Sequence, residues 1–279
     1  MKEALGKNKT RLLTEIKSLI ETNQRFAVFA HEEPDGDAIG SQAAMTLALK
    51  KMGKEVHSFR VDPISPALRF LDRGGLIKEF IPSGDHATIE SVQVSLILDS
   101  CDYFRLGELG EAVENSPSLK INIDHHRDNA FFGDLNYVRF MAGGAAELVF
   151  EVIRGLGVEI GGTIAEAIYV GMSTDTVGFH YIDPEGNMFR VLEELIKAGI
   201  NVEDLQEKIY CNQPDSYLQD LGEILASVHY ENGGALAWFT LFPSKYLSFY
   251  QRELASEALR QLLSMRKIRA ALMLHEENA

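Results

Sequence analysis

Residues 26–40 read FAVFAHEEPDGDAIG. An uncharged apolar run, FAVFA, meets a histidine and a knot of carboxylates, and glycines then lead into a second apolar stretch. A continuous apolar run of this length, bounded by turn residues, predicts a strand buried on both faces. The periodic segment Ile39 to Met52, closed by Gly53, predicts a helix with a glycine stop. Strand, acidic loop and helix in this order begin an α/β unit.

Two further apolar runs end the same way. VSLILDS (94–100) runs into Asp99, and LKINIDHH (119–126) ends on Asp124, His125 and His126. KEVHSFRV (54–61) alternates as a strand, and Pro63 and Pro66 mark the loop after it. Helices are predicted over 144–154 and 163–173, with Asp175 just beyond the second in MSTDTVGF. An amphipathic helix carrying Leu12, Leu13, Ile16 and Ile20 precedes the first strand. The whole predicts α/β architecture over 1–186: a mostly parallel sheet flanked by helices. Residues 187–214 read as a helical linker broken at Gly199 and ending in the turn-like CNQPDS. A smaller α/β domain is expected over 215–279. It comprises a helix at 217–227, two strands around an Asn-Gly-Gly turn in VHYENGGALAWFTL, a helix near 250–265, and the strand RAALMLHE.

Composition narrows the function classes. With 46 % hydrophobic and 24 % charged residues, the 279-residue chain has the make-up of a globular protein with a sizeable core. The net charge of −14, from 27 basic and 41 acidic residues, argues against gripping long DNA or RNA, where phosphate neutralisation supplies the affinity. The modest basic cluster of Arg260, Arg266, Lys267 and Arg269 is expected on one solvated helix face. No stretch approaches the roughly 20 apolar residues of a membrane span, and the N-terminus lacks a signal-peptide pattern. A cytoplasmic location is the default expectation. Cys101 and Cys211 are read as reduced thiols, being too few for a disulfide framework.

The chemistry lies where the strands end. In an open parallel sheet, ligands bind at the carboxyl ends of the strands, where the chain order reverses. Convergence there would gather His31, Asp35 and Asp37, then Asp99, then Asp124, His125 and His126, with Asp175 as a further candidate. Carboxylates held that close repel strongly unless a cation neutralises them. Two divalent ions roughly 3.5–4 Å apart would do so and would clamp a reacting phosphoryl group. Imidazole mixed with carboxylate suits manganese, with iron, cobalt or zinc also compatible. HEEPDGD does not match an EF-hand loop, and GDAIGS lacks the lysine of a P-loop. Each piece alone also has a structural reading: a solvated turn, a packed histidine pair, or Asp37 capping its own helix.

HEEPDGDA, LILDSCDYFRLG, INIDHHRDN and MSTDTVGF resemble four successive motifs of the DHH phosphoesterase superfamily, and the two-domain layout is similar to members pairing a DHH domain with a DHHA1 domain. The resemblance implies hydrolysis of short oligonucleotides, linear dinucleotides to mononucleotides, and of adenosine 3′,5′-bisphosphate to AMP, by a metal-bound hydroxide attacking phosphorus in line. It implies one metal on His31, Asp35 and Asp99, and a second on Asp37, Asp99, His125 and Asp175, with manganese the expected ion. Asp124 would orient a histidine. His126 would donate to a phosphate oxygen or protonate the leaving group. Arg105 is a candidate phosphate contact, or else a partner of Asp102 or Glu108. Short RNA or DNA oligonucleotides and nucleotide phosphates would be the substrates, with no long duplex and no membrane partner.

Relatives of this kind end in a glycine-rich DHHA1 segment that closes over the nucleotide. None is found before Ala279, so weak substrate binding with retained chemistry is expected. Two alternatives stand beside this reading: an inorganic pyrophosphatase with the same metal core, and a non-catalytic nucleotide-binding relative on the same fold, which should have lost metal ligands.

Overall fold

A computed structural model of the chain describes residues 2–181, 186–241 and 248–275. They form two compact units, 1–210 and 211–279. In the first unit, helix α1 (Lys2–Thr22) precedes strand β1 (Arg25–Phe29), α2 (Gly36–Lys51) and β2 (Glu55–Arg60). A two-residue strand β3 (Lys78–Glu79), α3 (Pro82–Ser91), β4 (Val94–Leu98), α4 (Leu109–Asn115), β5 (Leu119–Asp124) and β6 (Leu135–Val138) follow. Helices α5 (Ala145–Gly155), α6 (Thr163–Asp175), α7 (Met188–Lys197) and α8 (Val202–Tyr210) complete it. The sheet order is β3-β2-β1-β4-β5-β6 and every pairing is parallel. The order runs one way from β1 to β3 and the other way from β4 to β6, so it reverses between β1 and β4. The α/β fold with a mostly parallel sheet is therefore as the sequence indicates.

The apolar runs are continuous because both sheet faces are covered. Phe26 and Val28 of β1 enter the core built with α1, α2, α5 and α6, while Ala27 and Phe29 enter the one built with α3 and α4. β4 alternates likewise, with Leu96 and Leu98 on the first side and Ile97 on the second. Helices α2 and α6 pack closely at Gly40, where a Cβ would lie 2.4 Å from the Ala167 carbonyl oxygen. Any larger residue would force the two helices apart.

Val191 and Leu195 of α7, and Leu205 and Ile209 of α8, are buried in the first core, so residues 187–210 of the segment read as a linker pack within the first unit, and 211–214 begin the second. Gly199, with φ 88°, forms the break between these helices.

In the second unit, β7 (His229–Glu231), β8 (Leu236–Leu241) and β9 (Ala270–His275) form a sheet in that order, with helices α9 (Tyr217–Ala226) and α10 (Phe249–Ser264). β7 and β8 pair antiparallel around the Asn-Gly-Gly turn, and β9 pairs parallel to β8. Phe239, Leu254, Ala258 and Leu262 are at its core. Of the basic cluster, only Arg260 lies on a helix, paired with Glu257 at 2.9 Å. Arg266, Lys267 and Arg269 sit in the α10–β9 connection, because the helix stops at Ser264. Among the described residues, no helix is long and apolar enough to cross a membrane.

Candidate metal centre

The reversal between β1 and β4 opens a crevice at the carboxyl edge of the sheet, and the strand-end residues meet there. His31 follows β1 and is buried, its Nδ1 2.6 Å from the Glu32 carbonyl oxygen. A proton on Nδ1 donated to that carbonyl leaves Nε2 as the free lone pair. Nε2 lies 3.5 Å from Asp99 Oδ2 and 3.8 Å from Asp35 Oδ1.

Asp99, directly after β4, is buried and holds a left-handed backbone at φ 54°. That region disfavours a non-glycine residue, a strain often found at functional sites. Its Oδ1 is fully buried and accepts no hydrogen bond. The groups facing it are His125 Nε2 at 3.3 Å and His126 Nδ1 at 3.7 Å. His125 Nε2 also lies 3.7 Å from Asp37 Oδ2 and 3.8 Å from Asp175 Oδ1, at the end of α6.

Capping divides differently from the sequence expectation. Asp35, not Asp37, caps α2, accepting from the backbone N–H groups of Asp37 and Ala38 at 2.9 and 3.0 Å. Asp37 instead receives the Ala145 and Ala146 N–H groups at 2.5 and 2.9 Å and so caps α5. Gly144, at φ 103°, makes this possible: a Cβ there would meet Asp37 Oδ2 at 2.6 Å.

Asp124 is buried and serves His126, whose Nδ1 lies 2.7 Å from Asp124 Oδ1. Asn129, which the sequence reading passed over, donates to Asp124 Oδ2 at 2.5 Å and to Asn122 Oδ1 at 2.8 Å. Its place in the quoted INIDHHRDN motif was the available signal. Arg105 is exposed and forms no ion pair with Asp102 or Glu108. Asp102 accepts from its backbone N–H instead, at 2.9 Å.

Donor atoms group into three sets, each within 4.8 Å: His31, Asp35 and Asp99; Asp37, His125 and Asp175; and Asp99, Asp124, His125 and His126. Ligands around one ion at bond lengths near 2.1 Å stand about 3–4 Å apart, so these spacings and donor types fit divalent cations. Among the described residues, no lysine or arginine pairs with any of the aspartates in these sets. The protons respond accordingly. Burial would lower His31, but Asp99 and Asp35 outweigh it and raise it to about 9. Burial is likewise outweighed at His125, raised to about 10 by Asp99, Asp37 and Asp175. Burial, with Asp99 nearby, pushes Asp175 up to about 6 and Asp37 well above the carboxylate range, each opposed by His125. Burial acts the same way on Asp99, yet the flanking His125 and His31 draw it below that range. Without an ion, protons on the imidazoles carry the positive charge this cluster needs.

An open parallel sheet with imidazoles and carboxylates gathered at its switch point defines the class. The description "DHH family, N-terminal domain" matches residues 25–172, just over half of the chain. The chain belongs to the DHH family.

It is 34 % identical over 231 residues to the "Bifunctional oligoribonuclease and PAP phosphatase NrnA" of Thermus thermophilus, covering 82 % of this chain and 66 % of that protein. The Bacillus subtilis protein of the same name is 26 % identical over 200 residues, covering 71 % and 60 %. The chain thus spans less than two thirds of the length of these curated relatives. A "Probable manganese-dependent inorganic pyrophosphatase" of Streptococcus agalactiae is 26 % identical over 188 residues, covering 64 % and 58 %. In fold, the chain is similar to an exopolyphosphatase-related protein from Bacteroides fragilis, with TM-score 0.87 and 24 % identity over 96 % of this chain and 80 % of that one.

Proposed function

We propose that this chain is a metal-dependent phosphoesterase that hydrolyses linear dinucleotides to mononucleotides, with adenosine 3′,5′-bisphosphate as a second substrate. The observation that carries the reading is the cluster at the switch point, where aspartates from separate strand ends and α6 meet three imidazoles with, among the described residues, no lysine or arginine paired to them. The relatives from Thermus thermophilus and Bacillus subtilis, named for oligoribonuclease and PAP phosphatase activity, support the substrate class.

In this proposal, His31, Asp35 and Asp99 hold one divalent cation, and Asp37, Asp99, His125 and Asp175 hold another. Manganese fits the mixed donor set. When bound, such ions supply Lewis-acid activation of the phosphoryl oxygens and of the attacking water. The chain's residues do the rest. Asp99, with its buried Oδ1 free of hydrogen bonds, is the carboxylate shared by both sets. The backbone amides of α5 hold Asp37 in place. Asp124 fixes the His126 ring through Nδ1 and raises its pKa by that hydrogen bond, opposed by burial. The outward Nε2 of His126 then carries a proton for the leaving oxygen.

Manganese-dependent cleavage of pApA to AMP, lost in Asp99→Ala, is the expected result. The second reading is a pyrophosphatase with the same centre, favoured by the Streptococcus agalactiae relative. Pyrophosphate cleavage without pApA cleavage would replace the first reading with the second.

A further inference from the structure

We propose that Phe131 and Phe140 form the nucleobase-stacking step of this site, an inference that rests on the phosphoesterase reading and assigns its base contact to the first unit. β5 and β6 are parallel neighbours, with Asp124 in register with Val138, so the loops after both leave the same edge of the sheet. Arg139 N–H donates to the Asp124 carbonyl at 3.0 Å and ties the loops together at their root. One loop carries His126 and Phe131, and the other carries Phe140 and Met141.

These apolar side chains face water. Phe131, Phe140 and Met141 are 55 %, 44 % and 52 % exposed. The two rings stand edge to face, with centroids 6.5 Å apart at 79°. The loop that presents Phe131 is braced from beneath. Ala130 N–H donates to the Cys101 carbonyl at 2.8 Å, and the neighbouring Phe132 packs inward on Tyr103 at 4.5 Å. Phe131 itself takes a left-handed backbone, φ 53°, which is unfavourable for a phenylalanine. A rigid loop thus holds one ring outward at a conformational cost while its neighbour anchors the core.

A hydrogen-bond chain joins this ring to the chemistry. His126 Nδ1 pairs with Asp124 Oδ1 at 2.7 Å, Asn129 Nδ2 donates to Asp124 Oδ2 at 2.5 Å, and Asn129 Oδ1 accepts the Phe131 N–H at 2.7 Å. One asparagine therefore sets both the histidine support and the aromatic loop. Arg127, exposed on the same loop, lies 3.9 Å from Met141 Sδ and adds a cation to the patch. Flat rings beside a guanidinium next to a phosphoester centre suit a nucleobase whose phosphate sits at that centre. Alanine substitution of such rings weakens base binding roughly 5- to 150-fold.

The test is titration of wild type, Phe131→Ala, Phe140→Ala and Phe131→Trp with 2-aminopurine riboside 5′-monophosphate, which carries neither the phosphodiester nor the 3′-phosphate that the proposed activities cleave and which dims when stacked. Quenching by wild type and Phe131→Trp, with at least about fivefold weaker binding by both alanine variants, is expected. In steady state, the wild-type preference for pApA over a 5′-phosphorylated abasic dinucleotide should collapse in Phe131→Ala through KM. Equal quenching by Phe131→Ala, or none by wild type, overturns the proposal. Equal quenching with altered sedimentation of Phe131→Ala would overturn it in favour of a contact between copies of the chain. Phe131-dependent quenching without any turnover would leave the stacking step standing and count against the hydrolase reading alone.

Discussion

The first unit buries acidic side chains in two places and treats them in opposite ways. Around β6 and α5, Glu147 and Glu151 are met by cations. Arg139 pairs with Glu147 and lies 3.1 Å from Glu151, and Lys9 lies 2.7 Å from Glu151. Tyr137 and Asn187 donate to Glu151, and the Gly143 N–H donates to Glu147 at 2.8 Å. Charge and hydrogen-bonding capacity are both satisfied from within the chain. At the switch point, among the described residues, the ion partners of the aspartates are histidines alone, and Asp99 Oδ1 is left without a hydrogen bond. Burial of carboxylates without a lysine or arginine is expensive, and here protonated imidazoles are the charge that offsets it, which is why divalent cations are proposed at this cluster. The difference teaches where to look for function: a closed acidic cluster is structure, and an open one is a site.

The sharpest way to break this contrast is to remove a carboxylate from each side. Asp99→Ala deletes the group shared by both proposed ion sets, and a loss of about 10³-fold in kcat/KM on pApA is expected. Manganese should raise the Tm of wild type and fail to raise that of this variant, since only a ligand bound to the folded state stabilises it. Full activity in Asp99→Ala would end the comparison. On the closed side, Arg139→Ala leaves Glu147 and Glu151 facing one another without their main cation. Removing one partner of a buried pair costs about 3–5 kcal/mol, and urea denaturation should give a loss near the lower figure, because Arg139 is partly exposed. The manganese-dependent rise in Tm should survive in this variant.

The same contrast explains what the sequence could disclose. β1, β4 and β5 are legible because burial on both faces makes them uninterrupted apolar runs, and their chemistry sits at the run ends. The edge elements carry no such pattern: β3 has two residues, and half-buried β6 has four. Periodicity marks α7 and α8 as helices but does not say which core receives their apolar faces. The donors of the cluster are visible as residue types at strand ends, whereas their supports are not. Asp37 caps a helix 108 residues away, and no local pattern shows that. Gly144 and Asn129 are ordinary loop residues until the fold sets them against Asp37 and Asp124.

Gly144→Ala probes that hidden support at smaller expected effect. Its Cβ would enter the Asp37 carboxylate, and φ 103° is strained for alanine. Displacing a group that orients a ligand typically costs 10–100-fold in metal affinity. Manganese titration should show a loss in this range, while adding Gly157→Ala, also at positive φ but with open space around its Cβ, controls for backbone strain alone. Equal affinity in the two variants would mean that Asp37 needs no room at Gly144.

The smallest effect is a pH dependence on the closed side. Burial would raise Glu151, but Arg139, Lys9 and Tyr137 outweigh it and hold its carboxyl below the usual glutamate value of 4.5. The unfolded chain therefore binds more protons than the folded one in that window, and stability rises with pH there. Glu151 contributes fully above 4.5, and its contribution is lost as pH falls through the depressed folded value. Glu151→Gln should flatten the acid limb of the stability curve below pH 4.5 and leave manganese binding at neutral pH unchanged. An acid limb identical to wild type would show that Arg139 and Lys9 do not neutralise Glu151 in solution, and the two clusters would then differ less than their geometry indicates.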